Sequence, residues 1–174
     1  MNAQPFFSDA SRLAALAIAA AHWQGTPFRE NSSAPGAGGG VDCLHLAEEL
    51  YAASGATPRF TFPRERMDTG LHVDGSKILA YLRGEWTADP QSAQLAAIFS
   101  EIETANSDDV LAGDLLVFRV GRSAHHLGIA VNDDGDFIHC LKPAGVTFAS
   151  LHDATFARRL QAVFRPIESE VKEA

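Results

Sequence analysis

The chain has 174 residues, 46% of them hydrophobic, which suits one folded domain with a real core and excludes intrinsic disorder. Its formal net charge of −8 argues against non-specific nucleic-acid binding and against a basic membrane-binding patch. Two cysteines, Cys43 and Cys140, are too few for a disulfide framework; no CxxC pair occurs, and no apolar run is long enough to span a bilayer.

The first predicted element is an amphipathic helix from about residue 9 to Trp23. Ser8 or Asp9 can cap it, and Leu13, Leu16, Ala17 and Ala20 fall at helical spacing. LAALAIAAA (13–21) is apolar enough for a short signal sequence, but Asp9 accompanies Arg12 ahead of it, so a basic flank is lacking. The segment is expected to belong to the fold. Export, where it occurs, is then expected by another route.

Gly25, Thr26 and Pro27 break the helix. RENSSAPGAGGGV (29–41) reads as a flexible glycine-rich loop; no strand precedes it and no Lys-Ser/Thr follows, so it is not a phosphate loop. A second helix is expected from about Asp42 to Ser54, with Asp42 as N-cap and Gly55 closing it. Leu46, Ala47 and Leu50 share a face with Cys43, which puts the cysteine on the inward side of the first turn. Glu48 and Glu49 are expected to point toward water.

Residues 56–74 read as irregular. SKILAYLRG (76–84) and PQSAQLAAIFSEIETAN (90–106) read as helices, the second with Leu95, Ile98, Phe99 and Ile102 as its buried stripe. NSDD (106–109) is a turn. The pattern then changes to strands: GDLLVFRV (113–120), HHLGIAV (125–131), DFIHCL (136–141), VTFA (146–149) and LQAVFRPI (160–167), with a short helical or coil piece near Asp153. Helices followed by an antiparallel sheet give an α+β class. The expected organisation is one domain over 1–167, with 56–110 as a variable helical insertion and 168–174 as a mobile tail.

Read from the residues alone, Cys43 is core filler, a metal ligand or a nucleophile. A nucleophile needs a histidine as general base. His45, two residues along the same helix, points to the other side. His22, His72 and His152 lie in helix-end or loop sequence and read as surface histidines. His126 and His139 each lie in a predicted strand of one hairpin. His126 shares its face with Gly128 and Ala130, which leave room for an imidazole. A turn centred on Asp133-Asp134 sets His139 opposite Gly128, within side-chain reach of His126; a turn at Asp134-Gly135 slides the two apart. Zinc binding by Cys43, His125, His126 and His139 is a further reading, without a standard ligand spacing. A first-turn cysteine beside an imidazole is expected to favour thiolate, because helix N–H groups and dipole stabilise the anion.

GTPFR (25–29), DCLHLAEELY (42–51), GDLLVF (113–118), HLGIAV (126–131) and FIHC (137–140) occur in the order of the NlpC/P60 cysteine peptidases, and the chain resembles that family from about residue 12 to 167. SLHDATFARRLQAVFRPI (150–167) is similar to the C-terminal end of the phage-tail and gene-transfer-agent branch. The resemblance implies a papain-like α+β core with N-terminal helices packed on a C-terminal antiparallel sheet. It implies a catalytic set of Cys43, His126 and His139, with Phe28, Asp42, Leu44, His45 and His125 toward the substrate. It also implies hydrolysis of an amide in peptidoglycan stem peptides, no metal or organic cofactor, and a phage-tail-like assembly as a further partner; the acidic charge, not the resemblance, argues against a nucleic-acid partner. A catalytically degenerate binding module and an acyltransferase are the alternatives. The chain departs from the family at Phe28, where a tyrosine is usual, at Leu44-His45, where Ser-Gly is usual, and in the longer loop 30–41.

Overall fold

In a computed structural model, residues 3–64, 75–103 and 106–168 are described. Helix α1 (Ala10–Trp23) starts at Asp9, whose carboxylate accepts the N–H groups of Ser11 and Arg12. Its inward face carries Leu16, Ala19, Ala20 and Trp23, with Leu13 at the margin. Ala17, expected inward, is exposed, because Ala19 and Trp23 turn the buried stripe away from it.

The glycine-rich segment is ordered rather than loose. Strands β1 (Ser33–Ala34) and β2 (Gly40–Val41) pair antiparallel, and Gly36 N–H donates to Thr26 Oγ1 at 2.9 Å. A Cβ at position 39 would collide with the Ala34 carbonyl, so the ribbon closes only with glycine there. Helix α2 (Cys43–Ser54) follows directly. Asp42 caps it through the His45 N–H, and Gly55, at φ 76°, ends it in the left-handed region. Leu44, Leu46, Ala47, Leu50 and Tyr51 are buried along it. Glu48, expected in water, is covered by the chain that follows α2: its carboxylate accepts the Phe62 N–H at 2.6 Å and pairs with Arg64 at 2.8 Å.

Helices α3 (Lys77–Leu82) and α4 (Pro90–Ile98) are capped by Ser76 and Asp89. The helix expected to reach residue 106 stops at Ile98. Phe99–Glu101 instead forms β3 and pairs with β8 (Leu160–Pro166), so sheet pairing overrides the helical spacing of this stretch. Leu95 and Phe99 stay buried; Ile98 and Ile102 are half-buried. The 106–109 turn is a short 3-10 segment, Ser107–Asp109.

Strands β4 (Leu115–Val120), β5 (Ser123–Ala130), β6 (Asp136–Leu141) and β7 (Gly145–Ser150) complete a six-stranded antiparallel sheet of order β3-β8-β4-β5-β6-β7. Helix α5 (Ala154–Ala157) links β7 to β8. Alternation sends Leu115, Val117, Leu127, Ile129, Ile138 and Phe164 into the core shared with α1 and α2. Leu116, Phe118, Phe137 and Val163 face the opposite side, under Leu151 and Phe156. The sheet is therefore covered on both faces. Of the expected tail, Glu168 is tied down by an ion pair to Arg12 and by its N–H to Gln4, while residues 169–174 lie outside the described residues. No helix among the described residues is long and apolar enough to cross a membrane.

One buried ion pair pins the sheet. Asp114, its side chain 1% exposed, takes two bonds from Arg165 (2.9 and 2.8 Å) and the Leu111 N–H (2.9 Å). Burial pushes the Asp114 carboxyl up, and Arg165 opposes that push. Removing one partner leaves the other charge without its match. Arg165 is half-buried and keeps the Asp109 carbonyl, so Asp114→Ala is expected to cost about 1.5–3 kcal/mol, read as a lower urea midpoint at unchanged slope.

Candidate active site

The site forms where β5 and β6 part. Their pairing covers Gly128 with His139, Ile129 with Ile138 and Ala130 with Phe137, and does not extend toward His125. The N-terminus of α2 enters beside that unpaired backbone. Cys43 Sγ lies 4.0 Å from the His125 carbonyl oxygen, and the N–H groups of Leu127, Cys43 and Leu44 lie against the sulfur. Cys140 is buried alongside, its thiol donating to the Val41 carbonyl at 3.2 Å.

The hairpin sets the histidines. Asn132 Oδ1 accepts the N–H groups of Asp134 and Asp136, and Val131 N–H closes the loop onto the Asp136 carbonyl. This centres the turn on Asp133-Asp134 and makes Gly135, at φ 83°, an inner loop residue rather than half of the turn. His126 and His139 then meet, Nε2 to Nδ1, at 3.0 Å. Gly128 makes room: a Cβ there would stand 2.7 Å from the Phe137 ring. His139 is 1% exposed and packs edge-on against Phe137 and Phe156.

Next to His126 the β4–β5 register shifts, from Phe118 opposite His126 to Arg119 opposite Ala124. His125 is the extra residue of this β-bulge, a device that re-aims a side chain. The bulge brings His125 into the same cavity as Cys43 and His126. Its Nδ1 is buried and has no hydrogen-bond partner among the described residues.

That cavity measures about 210 Å³. Phe28 also lines it, so two of the five residues expected near the substrate, Phe28 and His125, reach it. Asp42, Leu44 and His45 do not line it. Leu44 is core, and Asp42 is buried, holding the Asn31 N–H at 2.8 Å and the His45 ring at 2.9 Å. His45 opens instead on a separate depression with Glu48 and Arg59. His22 and His152 are exposed, and His72 lies outside the described residues. Sequence reasoning did not select Phe118, Phe156, Lys142 or Arg159, all of which line the cavity. Lys142 follows β6 just three residues after His139, a local signal; Arg159 arrives only through the tertiary fold.

The electrostatics reverse one expectation. Burial pushes the Cys43 thiol up to about 12, and the nearby Asp42 charge adds to it; the three N–H groups pull the other way and lose. Burial also drives His126 down to about 3, helped by His139, His125 and Arg159, and drives His139 down to about 4. These shifts favour a thiol and two neutral imidazoles over a thiolate–imidazolium pair. No hydrogen bond joins Sγ to His126 among the described residues, and no cluster of three or more metal-ligating side chains forms there.

A cysteine at a helix start and a histidine of a paired set on an antiparallel sheet therefore line one cavity. The chain belongs to the NlpC/P60 family, which matches residues 22–165. Similar solved structures include a lipoprotein-like NLP/P60 protein from Staphylococcus aureus (19% identity, TM-score 0.59, 97% of this chain and 45% of that one). The NlpC/P60 domain of the peptidoglycan hydrolase SagA is also similar (20% identity, TM-score 0.51, 87% and 96%). So is NlpC2 from Trichomonas vaginalis (17% identity, TM-score 0.56, 97% and 51%). The chain thus spans about half the length of the first and third of these. A search of curated proteins finds no match.

Two measurements check the electrostatics. Alkylation of Cys43 by iodoacetamide is expected to rise about tenfold per pH unit through pH 9 without levelling, as only the thiolate reacts; a plateau near neutrality would show a resting ion pair. For stability, both histidines bind protons less well folded (about 3 and about 4) than at their ordinary 6.5. Stability is then full above 6.5 and is lost as pH falls toward 4 and 3. The melting temperature should drop over that window, less steeply in His126→Gln.

Proposed function

We propose that the chain is a cysteine hydrolase that cleaves an amide bond in peptidoglycan stem peptides. In this reading Cys43 is the nucleophile, His126 the general base and then acid, and His139 the group that orients His126. The observation that carries it is the single cavity lined by both Cys43 and His126, with His139 3.0 Å behind His126.

His126 Nε2 is committed to His139, so Nδ1 is the nitrogen free to take a proton. Because thiol and imidazole rest neutral, the Sγ proton passes to Nδ1 as the sulfur lone pair forms the C–S bond. The carbonyl π pair moves onto oxygen, beside the Cys43 N–H at the head of α2, which lies against the sulfur before attack. Collapse breaks the C–N bond, and the amine leaves with the His126 proton. Water, deprotonated by His126, then releases the acid and restores the thiol.

Family membership supports a cell-wall substrate, as does the likeness to the peptidoglycan hydrolase domain of SagA. The similarity of residues 150–167 to the phage-tail branch leads us to assign delivery with a phage-like particle. A binding or assembly module is the second reading. The observation favouring it is the half-buried thiol turned to the His125 carbonyl. An acyltransferase would share every step up to the acyl-enzyme.

Digestion of purified peptidoglycan fragments, with products identified by mass, tests these readings. Cleavage of a stem-peptide amide is expected from the wild type and none from Cys43→Ala, with His126→Ala lower by about 10²–10⁴-fold. Undiminished cleavage by Cys43→Ala rules out the nucleophile. Amide products with added amines would indicate transfer.

A further inference from the structure

The rim of the cavity opposes the charge of the chain. The chain carries a formal net charge of −8, yet the two side chains lining the cavity that are charged at neutral pH, Lys142 and Arg159, are both cations. Lys142 follows β6, and its ammonium stands over the Phe28 ring, 5.0 Å from the centroid, a contact that keeps the charge at the mouth. Arg159 precedes β8; its carbonyl accepts the Arg119 N–H at 2.8 Å, and its charge disfavours protonation of His126. Neither cation is paired with a carboxylate among the described residues. The carboxylate nearest the thiol, Asp42, is turned to the Asn31 N–H and the His45 ring. The remaining wall is apolar, with Phe28, Phe118, Val120 and Phe156.

We propose that Lys142 and Arg159 are specificity-determining residues that select a substrate carrying a carboxylate and an apolar body beside the scissile amide. The inference rests on Cys43 being the reacting centre. A cation about 6 Å from an anion in a water-like medium favours its approach roughly threefold, and two favour it roughly tenfold. Apolar walls focus that field, and salt above the physiological range screens it. A neutral group of the same shape gains nothing.

Cys43 alkylation by iodoacetate, an anion, against iodoacetamide, its neutral isostere, reads this directly. Both reagents need the same thiolate, so their ratio does not depend on its pKa. At about pH 9 and low salt the ratio, normalised to N-acetylcysteine, is expected to lie above one. It should fall about threefold in Lys142→Gln, about threefold in Arg159→Gln and about tenfold in the double variant, while the iodoacetamide rate falls only as far as loss of the cations lowers the thiolate fraction. High salt should erase the difference. A wild-type ratio at or below one, or an unchanged ratio in the double variant, overturns the proposal. A second reading needs no alkylation: the His126 and His139 ring signals in NMR should shift with N-acetylleucine and not with N-acetylleucinamide, and the double variant should lose the response. Equal response to both, or to neither, also overturns it. Loss of peptidoglycan cleavage with the ratio retained refutes the hydrolase reading alone; cleavage retained with a flat ratio refutes the selection alone.

Discussion

Gly128 lies directly across from His139, and the β5–β6 ladder does not continue beyond that pair toward His125. The arrangement of the site follows from this point. The glycine leaves the space that the Phe137 ring fills as it packs edge-on against His139, and the parting of the strands exposes backbone where the thiol can rest. A one-residue slip would turn one histidine to the other face of the sheet. The hairpin loop guards against it through the Asn132 side chain, which satisfies two loop N–H groups at once. The cysteine is held from the other side, by the Asp42 cap at the head of α2. Two independent local devices, a capped helix and a side-chain-closed hairpin, therefore converge on one cavity.

Burial at that convergence has an electrostatic consequence. His139 is buried and Cys43 and His126 are half-buried, and desolvation penalises whichever form is charged. The helix N-terminus and three N–H groups favour a thiolate, as the local pattern suggests, but they act on a sulfur that burial has already pushed toward the thiol. Local sequence reveals the stabilising dipole; it does not reveal how deeply the tertiary fold encloses the atom. The same holds for Arg159, which reaches His126 from beyond α5, and whose role no nearby residue signals.

Much of the fold was legible because the signals were local. Asp42 and Gly55 bracket α2, Asp9 starts α1, and the alternation of β4 to β8 marks the faces of the sheet. The failures share a cause. Residues 99–101 keep helical spacing yet pair with β8, the glycine-rich loop closes into a ribbon, and Glu48 is covered by residues 59–64. In each case a partner distant in sequence supplies hydrogen bonds that a local reading cannot see. His125 shows the same limit within the site, since only the register shift opposite Phe118 and Arg119 turns it into the cavity.

These placements sort the ways in which the chain departs from its family. Leu44-His45 stands where Ser-Gly is usual, but Leu44 fills core and His45 bonds the capping Asp42, so neither faces the cavity. The extended loop before β2 closes on itself and on Thr26. Phe28 is different, because it forms cavity wall and carries Lys142 on its face. A phenyl ring offers no hydroxyl to an anionic group, while an ammonium held over it offers a full charge. The departure with chemical weight is thus one position in GTPFR together with the lysine after FIHC, two segments far apart in sequence that the fold joins at the mouth of the site.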